Sequence, residues 1–434
     1  MSLRQICTQA PGTDDYERVL QLYIGRRYDD PVIIDLAGIS AEDVVDRHLS
    51  HLVSDRIRAS PDIRGGQTAA DAALAAFDVT GYAATRNRVL PASGRGASLL
   101  SPYIRHGLLP LREVWNAAAG GPAPDVSKFR DELFWQEYAR HLYARVGMHL
   151  HRNLRFDVAW SGGFAPAAWP REMACVDWAL SSLETDGWLV NQSRMWLASQ
   201  YTVRSGAGWV AGQEYFHRHL LDGSRAANLL GWQWTVGAGS SKPYGFARWQ
   251  VEKRAPQLCA ACPLNRNCPI QNFPADRDLH PVLNPTPLLV RDDDLATTQG
   301  PTTVVERSTP KSVLLTVESL GDADPALLAH PQLPAVFIFD EPALERLQLS
   351  SKRLVFFVET LQDLAARREV IVHLGDPRRI APELSAAITW APVPSFEKYA
   401  GTAVELHPWP WLAQPHAGSV QSFSAWRKNL TRPK

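Results

Sequence analysis

Apolar positions along the chain fall into two textures. From residue 67 to about 251 they recur at helical spacing. In 128–147, KFRDELFWQEYARHLYARVG, the residues Phe129, Leu133, Tyr138 and Leu142 fall near one stripe of a helix. Residues 173–183 and 191–203 read as helices in the same way, and 14–27 and 41–59 are helical stretches around a strand expected at 32–36. After Lys311 the runs SVLLTVES and PAVFIFD are continuously apolar, as strands covered on both faces are. A short helix at 325–330 lies between them. A helix at 350–367, a strand at 369–374, a helix at 382–388 and a strand at 388–391 follow. Strands alternating with helices predict a parallel α/β sheet. Residues 276–310, rich in Pro and Thr with an acidic triplet at 292–294, lack periodicity and read as a linker. The expected fold class is α + α/β: an extension at 1–65, a helical domain at 66–275, the linker, and a small parallel α/β domain at 311–434.

Composition adds exclusions. The chain has 434 residues, 45% hydrophobic and 21% charged, as soluble globular proteins do. Forty-five basic residues balance 45 acidic ones, so nucleic-acid binding would need a local patch. No apolar run approaches the ~20 residues of a membrane helix. The first residues lack a signal-peptide core. A cytoplasmic protein without membrane contact is expected. Eight of the 45 basic residues are Lys, leaving 45 − 8 = 37 Arg, a bias that suits phosphate and that a GC-rich genome produces equally well. Most of the 15 tryptophans lie between Trp115 and Trp249.

Five cysteines do not make a disulfide scaffold in a chain of this size. Cys259, Cys262 and Cys268 instead sit within QLCAACPLNRNCPIQNF, where three close thiolates and adjacent prolines suit zinc or an iron–sulfur cluster. A fourth ligand is needed, and Cys175 is the one candidate cysteine apart from Cys7 near the terminus, with His217 and His219 as substitutes for zinc. Spacing leaves the two metals even. In GWLVNQSRMWLASQY and YFHRHLLDGSRAANLLGWQW, Asn191 and Arg194 share a helix face, and Asp222 is an expected salt-bridge partner of Arg194.

Together these segments resemble the FAD-binding domain of the photolyase/cryptochrome family, in the order and nearly the spacing of its block GWMHNRxRM…YFxxxLxDGDxAxNxGGWQW. SLLSPYIRHG resembles the family's phosphate-binding segment, and ELFWQEYARHL resembles its ELxWREFYxHL helix. The resemblance covers roughly residues 66–250. The C-terminal α/β portion resembles the antenna domain that normally opens a photolyase, so the resemblance implies a circular permutation. In the family's bacterial iron–sulfur branch one cluster Cys precedes the Asn191 position by sixteen residues, and here 191 − 175 = 16. That favours a 4Fe-4S cluster on Cys175, Cys259, Cys262 and Cys268.

Position by position, the resemblance implies that Tyr82, Ser98, Leu99, Leu100 and Ser101 hold the FAD phosphates and ribose. It places Asn191, Arg194, Asp222, Gly223, Ser224 and Asn228 around the flavin. Trp232 and Trp209 match the inner and middle electron carriers, with Trp160 or Trp169 as the outer one. Trp135 and Trp234 match the aromatics gripping an extruded pyrimidine dimer. Glu132 matches the lesion-contacting carboxylate, and Met195 is of the cyclobutane-dimer type. The chain departs from the family at Ala97, Val190 and Ser224. The implied function is light-driven repair of pyrimidine dimers in DNA by reduced FAD, with an unspecified antenna chromophore. The alternatives are a blue-light photoreceptor without repair and a non-photochemical iron–sulfur nucleic-acid-binding module.

Overall fold

A computed structural model describes residues 31–240 and 242–430. The helical stretch expected at 14–27 lies outside them. No described helix is long and apolar enough to cross a membrane.

The helical half is built from one-sided packing. After α1 (Ala41–Leu49), the longest helix is α2 (Ala123–Val146), which buries Phe129, Leu133, Phe134, Tyr138 and Leu142. This includes the stripe read from the sequence. Around α2 stand α3 (Ala174–Thr185), α4 (Asn191–Ser199), α5 (Trp209–His219) and α6 (Arg225–Val236). α4 runs on into a π-helical turn, Gln200–Arg204, of the kind that often marks functional sites. Ser224 caps α6 by accepting from the Ala227 N–H at 3.3 Å, and Gly237 ends that helix at φ 93°.

The sheet has seven strands: β1 Val32–Ile33, β4 Val305–Glu306, β5 Ser312–Leu315, β6 Ala335–Asp340, β7 Val370–Gly375, β8 Ala386–Thr389 and β9 Glu405–His407. A separate ribbon pairs β2 Phe156–Asp157 with β3 His280–Pro281. The sheet order is β1-β7-β6-β5-β8-β9-β4, parallel through the five central strands and antiparallel at both edges. β5 is buried throughout and β6 through its first five residues, which accounts for their unbroken apolar runs. α7 (Pro325–Ala329) and α8 (Ser351–Ala365) lie in the crossovers.

Two edge segments complete this sheet, the first within the strand expected at 32–36 and shorter than it. β1 adds an antiparallel edge, with Val32 opposite Leu374, and α1 packs its buried Val44, Val45 and Leu49 toward α8. From the Pro- and Thr-rich segment, β4 closes the opposite edge against β9. The helical and α/β portions meet through polar contacts. Arg105 forks onto Glu318 at 2.6 and 2.8 Å, and His106 bridges the carbonyls of Val317 and Leu221. The last helix, α9 (Phe423–Lys428), returns to α2, where the Trp426 indole donates to His141 Nδ1 at 2.9 Å.

Candidate flavin and cluster sites

On one side of the helical half, α4 and α6 leave an open face. The exposed positions Ala227, Gly231 and Trp234 recur at helical spacing along α6. A Cβ built on Gly231 meets nothing within 4 Å, so the surface of α6 is open there. At its side Arg194 donates from both terminal nitrogens to Asp222, at 3.0 and 2.7 Å. Asp222 is the more buried partner (side-chain exposure 6% against 24%), so the fork fixes a carboxylate at low dielectric. Asn191 is exposed at the start of α4, and Met195 is half-buried one turn later. Asn228 donates from Nδ2 to the carbonyl and side-chain oxygen of Gln213, at 2.8 and 3.0 Å. Gly223 is pinned by its carbonyl, which accepts from Arg353 at 3.1 Å and Arg105 at 3.3 Å.

The Ser98–Ser101 turn is strained. Leu99 sits at φ 59° with its side chain 41% exposed, a conformation a leucine adopts at a cost of about 1–2 kcal/mol. Leu100 is fully buried beneath it, Ser98 Oγ accepts from the Leu100 N–H at 3.4 Å, and Ser101 Oγ accepts from the Trp188 indole at 3.0 Å. Tyr82 opens a short helix after left-handed Gly81. Its ring packs edge-on to Phe129, and burial pushes its phenol pKa up.

The tryptophans separate into buried and exposed sets. Trp232 and Trp209 are buried, while Trp234 is 39% exposed. Trp209 donates to Asn153 Oδ1 at 2.9 Å, and the Trp232 indole N–H has no hydrogen-bond partner. The rings against Trp232 are Phe216 at 5.0 Å and Tyr201 at 5.9 Å; Tyr201 in turn lies 4.6 Å from Trp169. The sequence reading did not single out Tyr201, and no local signal marks it. Trp135 is half-buried on α2 and stacked on Phe423. Glu132, on the same helix, is paired with Lys128 at 2.9 Å and Arg86 at 3.3 Å.

A second site is thiol-lined. Cys175 on α3 joins Cys259, Cys262 and Cys268 around one small pocket, with Met173, Arg248, Leu258 and Ile270. His217 and His219 do not line it. Burial, reinforced by the neighbouring thiols, pushes Cys175 up to about 12. Burial and Glu252 push Cys259 up to about 11. These thiols stay protonated unless a cation displaces their protons.

Residues 129–254 match the family described as the FAD binding domain of DNA photolyase. The match takes in α4 to α6, Trp135 and Cys175. Deoxyribodipyrimidine photo-lyase of Synechococcus sp. is 31% identical over 195 residues, covering 41% of this chain and 40% of that protein. The protein of the same name from Thermus thermophilus is 36% identical over 192 residues, covering 41% and 44%. These comparisons support the photolyase/cryptochrome family. The chain spans less than half the length of these curated relatives. Among solved structures, a bacterial class III photolyase from Agrobacterium tumefaciens is 26% identical with a TM-score of 0.39, covering 46% of each chain. Tyr82 and the Ser98–Ser101 turn precede the matched stretch, and Cys259, Cys262 and Cys268 follow it.

Proposed function

We propose that this chain is a light-driven flavoprotein that binds DNA and splits UV-induced pyrimidine dimers. The observation that carries the proposal is the open face of α6 beside the Arg194–Asp222 fork, inside the stretch matched to the photolyase FAD-binding domain. The residues fit FAD: an open helix face at Gly231, a half-buried amide at Asn228, and a strained turn at Leu99 close to two serine hydroxyls. Strain of that kind concentrates at binding sites. When bound, FAD supplies the light-excited electron that opens the dimer.

The protein's own groups then divide the work. The Arg194–Asp222 fork, with Asn191, Gly223 and Ser224, orients the ring system, and Asn228 presents its amide to it. Tyr82, Ser98, Leu99, Leu100 and Ser101 hold the phosphate end. Buried Trp232 and Trp209 are the oxidisable side chains that this reading assigns to electron transfer. Trp135 and Trp234 stack against an extruded pyrimidine dimer, each worth about 1–3 kcal/mol per base. Flipping a damaged pair costs a few kcal/mol, less than a sound one. Glu132 and Met195 complete the lesion pocket.

Residues 66–275 form the FAD domain in this reading and 311–434 an antenna-type domain, in permuted order. For Cys175, Cys259, Cys262 and Cys268 the reading is a 4Fe-4S cluster. Four thiols converging on one pocket, with Cys175 sixteen residues before Asn191, support that reading.

Illumination of FAD-loaded protein with UV-treated DNA tests the function. Cyclobutane dimers should disappear in blue light and persist in the dark. A protein that photoreduces its flavin and leaves dimers intact is a photoreceptor. A colourless protein that takes up no flavin refutes both readings.

A further inference from the structure

We propose that His330, Glu405 and His407 form a site for a single divalent cation of the zinc class, where the end of α7 meets β9. β9 is only three residues long. Alternation along a strand puts Glu405 and His407 on one face, while Leu406 joins the apolar cluster on the other. His330 is fixed by the end of α7, where its N–H donates to the Ala326 carbonyl at 3.1 Å.

The three side chains converge. His330 Nε2 lies 2.7 Å from Glu405 Oε1, and His407 Nε2 lies 2.5 Å from the same oxygen. All three donor atoms fall within 4.8 Å of one another, and no other group of three or more among the described residues does so. Glu405 and His407 are buried, with side-chain exposures of 10% and 5%, while His330 at 23% forms the edge open to water.

Two neighbours bear on the charge balance. Arg368 donates to the His330 carbonyl at 2.9 Å, a modest positive presence. Glu306 on β4 stands directly opposite Glu405 in the antiparallel register, so two carboxylates share one face of the strand pair. Like charges in that position destabilise a pairing, and a cation on Glu405 relieves this.

Two imidazoles and one carboxylate select a borderline metal over calcium or magnesium, which prefer all-oxygen shells. On binding, each imidazole turns its Nε2 lone pair to the ion and keeps its proton on Nδ1. No redox step is involved. Ligand distances of about 2.0–2.2 Å in a tetrahedron set donors roughly 3.4 Å apart, so the present contacts open by under about 1 Å. The fourth position falls on the His330 side, where water enters. The ion would tie α7 to the outermost parallel strand.

The test uses the full chain, equilibrated with Zn²⁺ or Co²⁺ and freed of loose metal by gel filtration. The expected result is one equivalent of Co²⁺ showing only weak visible bands, separable from thiolate-bound Co²⁺ by the absence of near-ultraviolet sulfur charge transfer. Removing a second-sphere partner weakens such sites roughly 10–100-fold, so His330→Ala, which removes a ligand, should weaken this one by at least about 100-fold. His407→Ala and Glu405→Gln should do the same, and Zn²⁺ should raise the thermal midpoint of the wild type alone. Should the buried variants fail to fold, half-exposed His330→Ala decides. Zinc uptake unchanged by His330→Ala, or uptake confined to the thiolate bands, overturns the proposal.

Discussion

The Trp135 indole lies flat on the Phe423 ring, 4.1 Å between centroids and 8° from parallel. One face of a proposed dimer-gripping residue is thus held by α9, which Trp426 anchors in the core. Phe423→Ala should cost about 0.5–1.5 kcal/mol of ring–ring energy beyond lost burial. By freeing Trp135 it should weaken dimer-DNA binding several-fold without changing flavin content. Fluorescence anisotropy with damaged and undamaged duplexes checks this, and affinity equal to wild type refutes it.

The Arg194–Asp222 fork gives the second prediction. Charge-assisted hydrogen bonds contribute roughly 1.5–3 kcal/mol each way they are broken, and Asp222 is the partner left buried. Arg194→Ala should therefore lose FAD and some stability together. Arg194→Lys, which keeps the charge but not the fork, should retain part of both. Flavin absorbance per chain and urea midpoints read the two effects.

How much of this was legible in the sequence depends on how local each signal is. β5 and β6 were readable because burial on both faces leaves an unbroken apolar run. β9 was not, because Glu-Leu-His carries no such run and its polar residues serve contacts made only in the fold. β1 fell within the short apolar run at 32–36, whereas the two-residue edge β4 is too short to show a period. α2 showed itself by its stripe. The Arg194–Asp222 pair was reachable because both residues sit in readable helical segments. Cys175 stands 259 − 175 = 84 residues before its neighbours in the pocket; elimination among the few cysteines and the family spacing suggested it, and no local pattern did. Phe423 on Trp135 joins residues 423 − 135 = 288 apart, which no local pattern encodes.

Cys175→Ser tests the thiol pocket. Cys175 is the most buried of the four sulfurs, on a helix separate from the others. The variant should lose most of its iron and acid-labile sulfide while flavin binding survives. Iron and sulfide contents equal to wild type count against Cys175 as a ligand.

Lys352 predicts a pH effect. It is buried where α8 meets the helical half, its Nζ donating to the Glu184 carbonyl at 3.0 Å and lying 3.4 Å from His219 Nδ1. Burial, aided by nearby Arg58 and Arg353, pushes its pKa down to about 8 from 10.5. Between those values the unfolded chain holds a proton that the folded chain has released. Stability from this group therefore rises as pH increases from about 8 to 10, by up to roughly 3 kcal/mol. The urea midpoint of the wild type relative to Lys352→Met should climb across that window. A constant difference contradicts the shift.

The open face of α6 at Gly231 carries the proposed flavin site, and Gly231→Phe addresses it directly. Open space surrounds that position, so the variant should fold with a wild-type thermal midpoint while a phenyl ring covers that face. Titration with FAD, followed by flavin fluorescence quenching, should then saturate at one flavin per chain for the wild type and show no saturable binding for the variant. Equal FAD affinity in both proteins would contradict it.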